Sequence, residues 1–421
     1  MSNPPGEFIA AERSLLPAIG KRNIAFLGDS RTFQSTSITS TEYSKLAQGF
    51  IGWLQFLTRQ RFEFALTDNY GVSGDTTTQM LARCSGMLSA TTAGTIIVFG
   101  GTNDRSGSFS YATTISNLAA IRDLCLAAGR RVIFVAELPK GDSTNTSARL
   151  TGSQLNIHIR VRQWLLDQRS LQGVYVADPW QYMANITSTT GDFASANETK
   201  DGIHPQPLGA YHIALALKPI IEALFPPVDL LPWSNTDTYS ATDNPGGCLN
   251  ANPMMGGTAG SFNATGGSGS VSDSWSENAG PTWTRVYSKV TGSDGKTWQQ
   301  VVLGGTGTTG GVSLRQVITA GNLAVGDQVY AVADIDMDAS AANVSQLALQ
   351  VLDNNAITSG DFRRAVSTEA FPNVGALSGV MRTPVYTLTS TTLQLQFNML
   401  VLVAAVAATV RIGRVALRKV V

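Results

Sequence analysis

The sequence is poor in histidine, cysteine and charge. Only His158, His204 and His212 occur in 421 residues, so the search for a general base that works near neutral pH is short. The three cysteines, Cys84, Cys125 and Cys248, lie far apart with no Cys-x-x-Cys or Cys/His spacing. An odd, scattered set argues against a disulfide framework or a zinc cage, and Cys84 and Cys125 read as core positions of helices. Charged residues make up 14% of the chain, against about 25% in an average globular protein. Lys+Arg and Asp+Glu each number 30, which leaves no basic surplus for nucleic acid and no basic tract for an anionic membrane. The longest apolar run, MLVLVAAVAATV at 399–410, is too short to span a bilayer, so membrane insertion is not expected. The opening MSNPPGEFIAAERSLLP has neither a basic n-region nor an apolar h-region, and no secretory signal is expected.

Gly, Ser, Thr and Asn take the place of the missing charges, a texture that suits β-rich extracellular or virion proteins. The length exceeds one ordinary core, so two or three domains are expected. Residues 21–225 alternate apolar runs with amphipathic segments. Strands are predicted at 23–27, 62–67, 95–99, 131–136 and 174–178. Helical patterns lie at 42–60, 76–89, 111–128, 147–169 and 208–224. Such alternation predicts a parallel sheet with helices on both faces, and the unbroken apolar runs TIIVFGG and RVIFVAE fit strands buried on both sides. Pro226 and Pro227 end the last helix. Beyond them come short, often alternating segments separated by Gly-, Asn- and Ser-rich turns, which predict an all-β antiparallel sandwich of jelly-roll type. The expected division is an N-terminal extension at 1–20, an α/β domain at 21–227, a linker at 228–250 and the sandwich at 251–421. The stretch GGTAGSFNATGGSGS at 256–270 reads as a mobile loop.

Chemistry is suggested at four loops. In NIAFLGDSRTF, at 23–33, an apolar strand runs into Gly28-Asp29-Ser30. All three are also turn residues, and the stretch alone does not choose between a turn and a nucleophile. DNYGVSGDTT at 68–77 carries Gly71 and Gly74, which allow sharp bends and an exposed N–H. GGTND at 100–104 carries Asn103, whose amide can donate. DGIHP at 201–205 places Asp201 three residues before His204, within reach of the ring. His158, inside a helical pattern, reads as structural, and His212, one turn into the last helix, as packed or exposed. Each loop alone is an ordinary turn. Together they supply what acyl transfer requires: a nucleophile in Ser30, a base in His204 and an orienting acid in Asp201. The N–H groups of Ser30 and Gly74, with the Asn103 amide, supply three oxyanion donors. In a parallel sheet such loops meet at the carboxyl ends of the strands.

The order Gly-Asp-Ser, GVSGDT, GTND and Asp-x-x-His resembles the SGNH, or GDSL, hydrolases over about residues 20–225. The four residues that name the family fall on Ser30, Gly74, Asn103 and His204, and the family's acid falls on Asp201. The resemblance implies a three-layer α/β/α, flavodoxin-like fold. It also implies ester hydrolysis through an acyl-serine intermediate, without metal or cofactor. The second half is similar to carbohydrate-binding-like sandwiches of glycan-active enzymes and phage tail proteins, and Trp233, Trp275, Trp283 and Trp298 are candidates for stacking on sugar rings or for filling the core. The expectation is therefore an esterase that removes acyl groups, foremost O-acetyl, from a polysaccharide, in the setting of a virion tail or tail spike, where a homotrimer would be the natural oligomer. The alternatives are a lipase or lysophospholipase, a non-catalytic glycan-binding adhesin, and a structural tail protein.

Overall fold

The structure, a computed structural model, describes residues 22–36, 44–45, 49–193, 195–278, 283–292, 294–306, 310–318, 320–364, 371–372, 375–401 and 405–421. The expected N-terminal extension at 1–20 lies outside them. The described residues gather into two compact units, one of 22–36, 49–54 and 61–227, the other of 44–45, 55–60 and 228–421.

In chain order the first half contains β1 (Ile24–Gly28), α1 (Ser30–Phe33), β2 (Ser44–Lys45), α2 (Phe50–Leu57) and β3 (Asn69–Gly71). It continues with α3 (Thr77–Ala90), β4 (Thr95–Phe99), α4 (Thr102–Ser106), α5 (Tyr111–Ala127) and β5 (Arg131–Val135). The last elements are α6 (Gly152–Asp167), β6 (Val174–Ala177), α7 (Trp180–Met183) and α8 (Pro207–Leu224). The first unit is built on a parallel sheet in the order β3-β1-β4-β5-β6. All five residues of β1, β4 and β5 are buried, as strands covered on both faces must be. On one face α3, α5 and α6 bury Met80, Cys84, Leu118, Ile121, Cys125, Val161 and Leu165 against the sheet. On the other, Phe50 at the start of α2 packs edge-on against Phe26 and Phe99 at 5.9 and 5.8 Å, and Trp53 meets Tyr211 of α8 at 5.5 Å. This is the expected three-layer arrangement.

Two local expectations need correction. The apolar run 62–67 is not a strand. Its main chain meets that of the first strand at Glu63, through the bridge to Asn23 and the Ile24 N–H, then turns through a 3₁₀ segment at Leu66–Asp68 and rejoins the sheet as β3. Phe62 and Phe64 spend their apolar surface on the ring of Phe26 instead of on a ladder. The helical pattern 42–60 contains strand β2 and a helix only from Phe50. Residues 55–60 cluster with the second unit, where Arg59 pairs with Asp334 at 2.9 Å and the Gln60 amide donates to the Val380 carbonyl at 2.7 Å.

The second unit adds β7 (Gly267–Gly269), β8 (Ser276–Asn278), β9 (Thr284–Thr291), β10 (Thr297–Thr306), β11 (Gly310–Ile318) and β12 (Gln328–Met337). Then follow β13 (Val344–Asp353), β14 (Ala356–Arg364), β15 (Leu377–Arg382), β16 (Tyr386–Thr387), β17 (Leu393–Val401) and β18 (Ala405–Lys419). They form a sheet in the order β15-β12-β18-β10-β9-β7, with β16 beside β12, and a second in the order β2-β14-β13-β17-β11-β8. Pairing is mostly antiparallel, with parallel pairs at β7–β9 and β2–β14. Leu230, Leu231 and Cys248 of the connecting stretch pack with Val332, Val380 and Ala416. The stretch 256–270 is not a free loop: Gly260 N–H donates to Val271, Asn263 N–H to the Glu277 carboxylate, and the Gly266 carbonyl accepts from Arg285. Of the four candidate tryptophans, Trp275, Trp283 and Trp298 are buried in the unit, and only Trp233 is exposed, at 62%. The three buried rings therefore fill space and cannot stack on a sugar.

Candidate active site

The sheet places the carboxyl ends of its strands along one edge, and three turns leave that edge side by side after β3, β1 and β4. At the central turn Gly28 is required by space: a Cβ there would collide with Thr32 Oγ1 and the Phe99 carbonyl. Asp29 then caps α1, its Oδ1 accepting from Arg31 N–H at 3.0 Å. Ser30 is the first helical residue, so its N–H has no place in the helix ladder. Neither the Ser30 nor the Gly74 N–H has a protein acceptor among the described residues.

Asp201, His204 and Ser30 form one hydrogen-bonded chain. Asp201 Oδ1 accepts the N–H groups of Ile203 and His204 at 3.0 and 2.8 Å, which folds the loop into a tight turn. Its Oδ2 lies 2.6 Å from His204 Nδ1, and His204 Nε2 lies 2.8 Å from Ser30 Oγ. A carboxylate only accepts, so Nδ1 donates and Nε2 is left to accept the serine hydroxyl. Burial by itself would raise the Asp201 carboxyl. The hydrogen bonds from the His204 ring and main chain outweigh it and hold the group down to about 2. The acid is thus ionised wherever the base could act.

The loop that carries this pair is itself pinned. Gly202, at φ +79°, fits a space where a Cβ would crowd Ala148, and its carbonyl accepts from Gly141 N–H at 2.8 Å. Gly202 N–H donates to Thr199 Oγ1 at 2.9 Å, and the Gln206 amide to the Thr199 carbonyl at 2.7 Å. His212 donates instead to Glu198, 2.9 Å away, behind the loop. His158 sits at 2.7 Å from the Leu138 carbonyl, and burial lowers its basicity to about 3. Of the three histidines, only His204 meets Ser30.

The two flanking turns hold the other predicted residues. Gly74 has φ +85°, the left-handed region in which a glycine is at ease. The Asn103 amide donates one hydrogen to the Asp75 carbonyl at 2.8 Å, tying the turn after β4 to the turn after β3 and leaving the second hydrogen for a ligand. Arg83 of α3 holds the same turn from beneath, donating to the Asp75 carboxylate, the Tyr70 carbonyl and the Gly28 carbonyl at 2.6, 2.6 and 2.8 Å. Buried Asp104 fixes α4, accepting from Thr77 N–H, Thr77 Oγ1 and Thr114 Oγ1 at 2.8, 2.6 and 2.8 Å. Arg83 and Asp104 were not singled out from the sequence. The acid after Asn103 in GGTND is a signal for one of them, and nothing local marks the other.

The arrangement can deprotonate a serine hydroxyl as it attacks a carbonyl carbon, and it offers N–H donors for the oxygen that becomes negative. Residues 26–211 match the model of the GDSL-like Lipase/Acylhydrolase family. The first unit carries a GDSL/SGNH hydrolase domain, a type that acts on esters. Similar solved structures include a lipase/acylhydrolase from Enterococcus faecalis, 20% identical with a TM-score of 0.38, covering 49% of this chain and 99% of that one. A GDSL-like lipase from Bacteroides thetaiotaomicron is 18% identical with a TM-score of 0.37, covering 52% and 97%. A member of the lipolytic protein G-D-S-L family from Veillonella parvula is 17% identical with a TM-score of 0.35, covering 47% and 97%. No curated protein matches the sequence.

Proposed function

We propose that the protein is a serine esterase that hydrolyses acyl esters, foremost O-acetyl esters, of a polysaccharide. The carrying observation is the chain Asp201–His204–Ser30, with contacts of 2.6 and 2.8 Å. Ser30 attacks the ester carbonyl while His204 takes its proton. Ser30 N–H, Gly74 N–H and the Asn103 amide stabilise the oxyanion. The alcohol leaves with the proton from His204, and water then releases the acid by the same steps in reverse. The polysaccharide, the acetyl group and the virion tail rest on composition and on the attached sandwich. With three tryptophans in the core, sugar contact in that unit would fall to Trp233 and to polar side chains.

A lipase-type reading has one observation in its favour. Phe33, on the helix of Ser30, and Val72, near Gly74, are exposed apolar side chains at 47% and 42%. A panel of short- and long-chain p-nitrophenyl esters beside acetylated polysaccharides, assayed for released acid, separates the two. Preference for acetyl and turnover of the polymer support the proposal. Rates that rise with chain length and no turnover of the polymer replace it with the lipase reading.

A further inference from the structure

Ser30 stands between two buried charged residues that the reaction described above does not use. Arg31 Nε and Nη2 donate to the two oxygens of Asp29 at 3.0 and 2.7 Å, and its guanidinium lies 4.0 Å over the ring of Phe99. The remaining nitrogen, Nη1, donates to Glu137 Oε2 at 3.2 Å. Glu137 follows β5, is buried, and has its main chain fixed by the indole N–H of Trp180. Its second oxygen, Oε1, has no hydrogen-bond partner among the described residues. That oxygen lies against Gly101, where a Cβ would collide with it. Gly101, at φ +122°, is the residue from which α4 and Asn103 begin.

We propose that Glu137 is a positioning residue whose carboxylate sets the turn of the nucleophile against the turn of the oxyanion donor. The proposal rests on the serine-esterase reading. The strands β1 and β4 pair up to Gly28 and Phe99, and the last main-chain bond between them runs from Asp29 N–H to the Phe99 carbonyl at 3.3 Å. Past that point no ladder fixes Ser30 relative to Asn103, yet catalytic groups need placement to within about 0.5 Å. Arg83 and Asp75 link the two turns from one side, through the Gly28 carbonyl and the Asn103 amide, and Glu137 supplies a second brace from the other. One oxygen holds Arg31, the neighbour of Ser30, and the other rests on the backbone that starts the Asn103 helix. In a buried site such a chain has one good arrangement. Glu137 touches no reacting atom, so its removal should leave substrate binding alone and lower the rate of the chemical step.

The test uses full-length Glu137→Ala, Glu137→Asp and Glu137→Gln with p-nitrophenyl acetate. Active sites are counted by complete labelling with a fluorophosphonate, so that kcat is per reactive serine. Glu137→Ala should lose about 10²-fold in kcat with KM held within about threefold. Glu137→Asp, too short to reach both turns, should lose nearly as much. Glu137→Gln, equal in volume and still an acceptor, should restore most of the rate, and if the alanine variant does not fold, the other two carry the comparison. A kcat per labelled serine equal to wild type in Glu137→Asp, with only a lowered melting temperature, overturns the proposal, and so does a loss confined to KM. Ser30→Ala is run alongside. If it turns over as fast as wild type, the serine mechanism itself is overturned and the brace with it. Dependence on Ser30 with indifference to Glu137 overturns the brace alone.

Discussion

The two units handle buried charge in opposite ways. In the first, buried ionic side chains crowd the turns at one edge of the sheet: Asp29 and Arg31 after β1, Asp104 and Arg105 after β4, Glu137, Lys140 and Asp142 after β5. In the second they are scattered, each settled with its own partners. Glu277 pairs with Arg285, Asp334 with Arg59 and Arg414, Asp237 with Arg418, and Asp353 accepts from Thr389 and Ser390. Strand direction explains the difference. Parallel strands deliver every carboxyl end to one edge, where loops from distant parts of the chain converge. Antiparallel strands alternate, so no single edge collects the loops, and the buried charges of the second unit sit mostly within strands, as Glu277, Arg285 and Asp334 do. Burying a charge without its partner is costly in either case. Convergence on one serine, Ser30, is what separates this edge from a set of structural ion pairs.

The comparison is broken most directly at Ser30. Ser30→Ala should lower kcat by about 10⁴- to 10⁶-fold, as loss of a catalytic serine does, with a melting temperature close to wild type. His204→Ala should cost nearly as much, since the hydroxyl then has no base. Near-normal turnover on a short-chain ester in either variant would remove the site from the first unit.

Asn103→Ala should cost about 10²–10³ in kcat with little change in KM, because the carbonyl oxygen becomes charged mainly in the transition state. Steady-state kinetics decide it: a raised KM with kcat intact would make Asn103 a substrate-binding residue.

In the second unit the expected effect is on stability. Trp283 is a fully buried ring, and Trp283→Ala should destabilise by about 3–5 kcal/mol. Denaturant unfolding read from the sandwich should show that loss while kcat per labelled serine stays unchanged. A fall in kcat below the unfolding transition would mean that the second unit also shapes the site.

The smallest effect expected is the pH dependence that Asp201 adds to stability. Its folded carboxyl is held down to about 2, below the value near 3.9 of an unfolded aspartate. The sign is that of a depressed acid: the contribution is present above about pH 4 and is lost as pH falls towards 2. The group is 45% exposed, so solvent screens the effect and the shift in melting temperature should be small. The difference in melting temperature between wild type and Asp201→Asn should shrink across that window. A constant difference from pH 5 to pH 2 would show that the carboxylate is not held in this way.

What the sequence determined by itself is local. TIIVF at 95–99 is a strand buried on both faces because its apolar run Ile96–Phe99 does not alternate with polar residues, and the structure has Thr95–Phe99 as β4. Gly28, Gly74 and Gly202 stand where other residues would collide or strain, and Asp201, three residues before His204, is within reach of its ring. The order of the four loops was legible for the same reason, since each is a short stretch with its own turn chemistry. Only the tertiary structure decided where those loops meet. Ser30 and His204 are brought to 2.8 Å across 174 residues by the packing of a whole sheet. Packing also sent the run 62–67 onto Phe26 and made β3 of Asn69–Gly71, although the apolar pattern of that run reads as a strand. The same holds for Trp275, Trp283 and Trp298: a ring has one composition whether it faces a sugar or a core, and only the layers around it choose. Glu137 and Arg31 stand 106 positions apart, and no spacing rule links them. Their meeting follows from two strands with one edge in common and from the need of each buried charge for a partner.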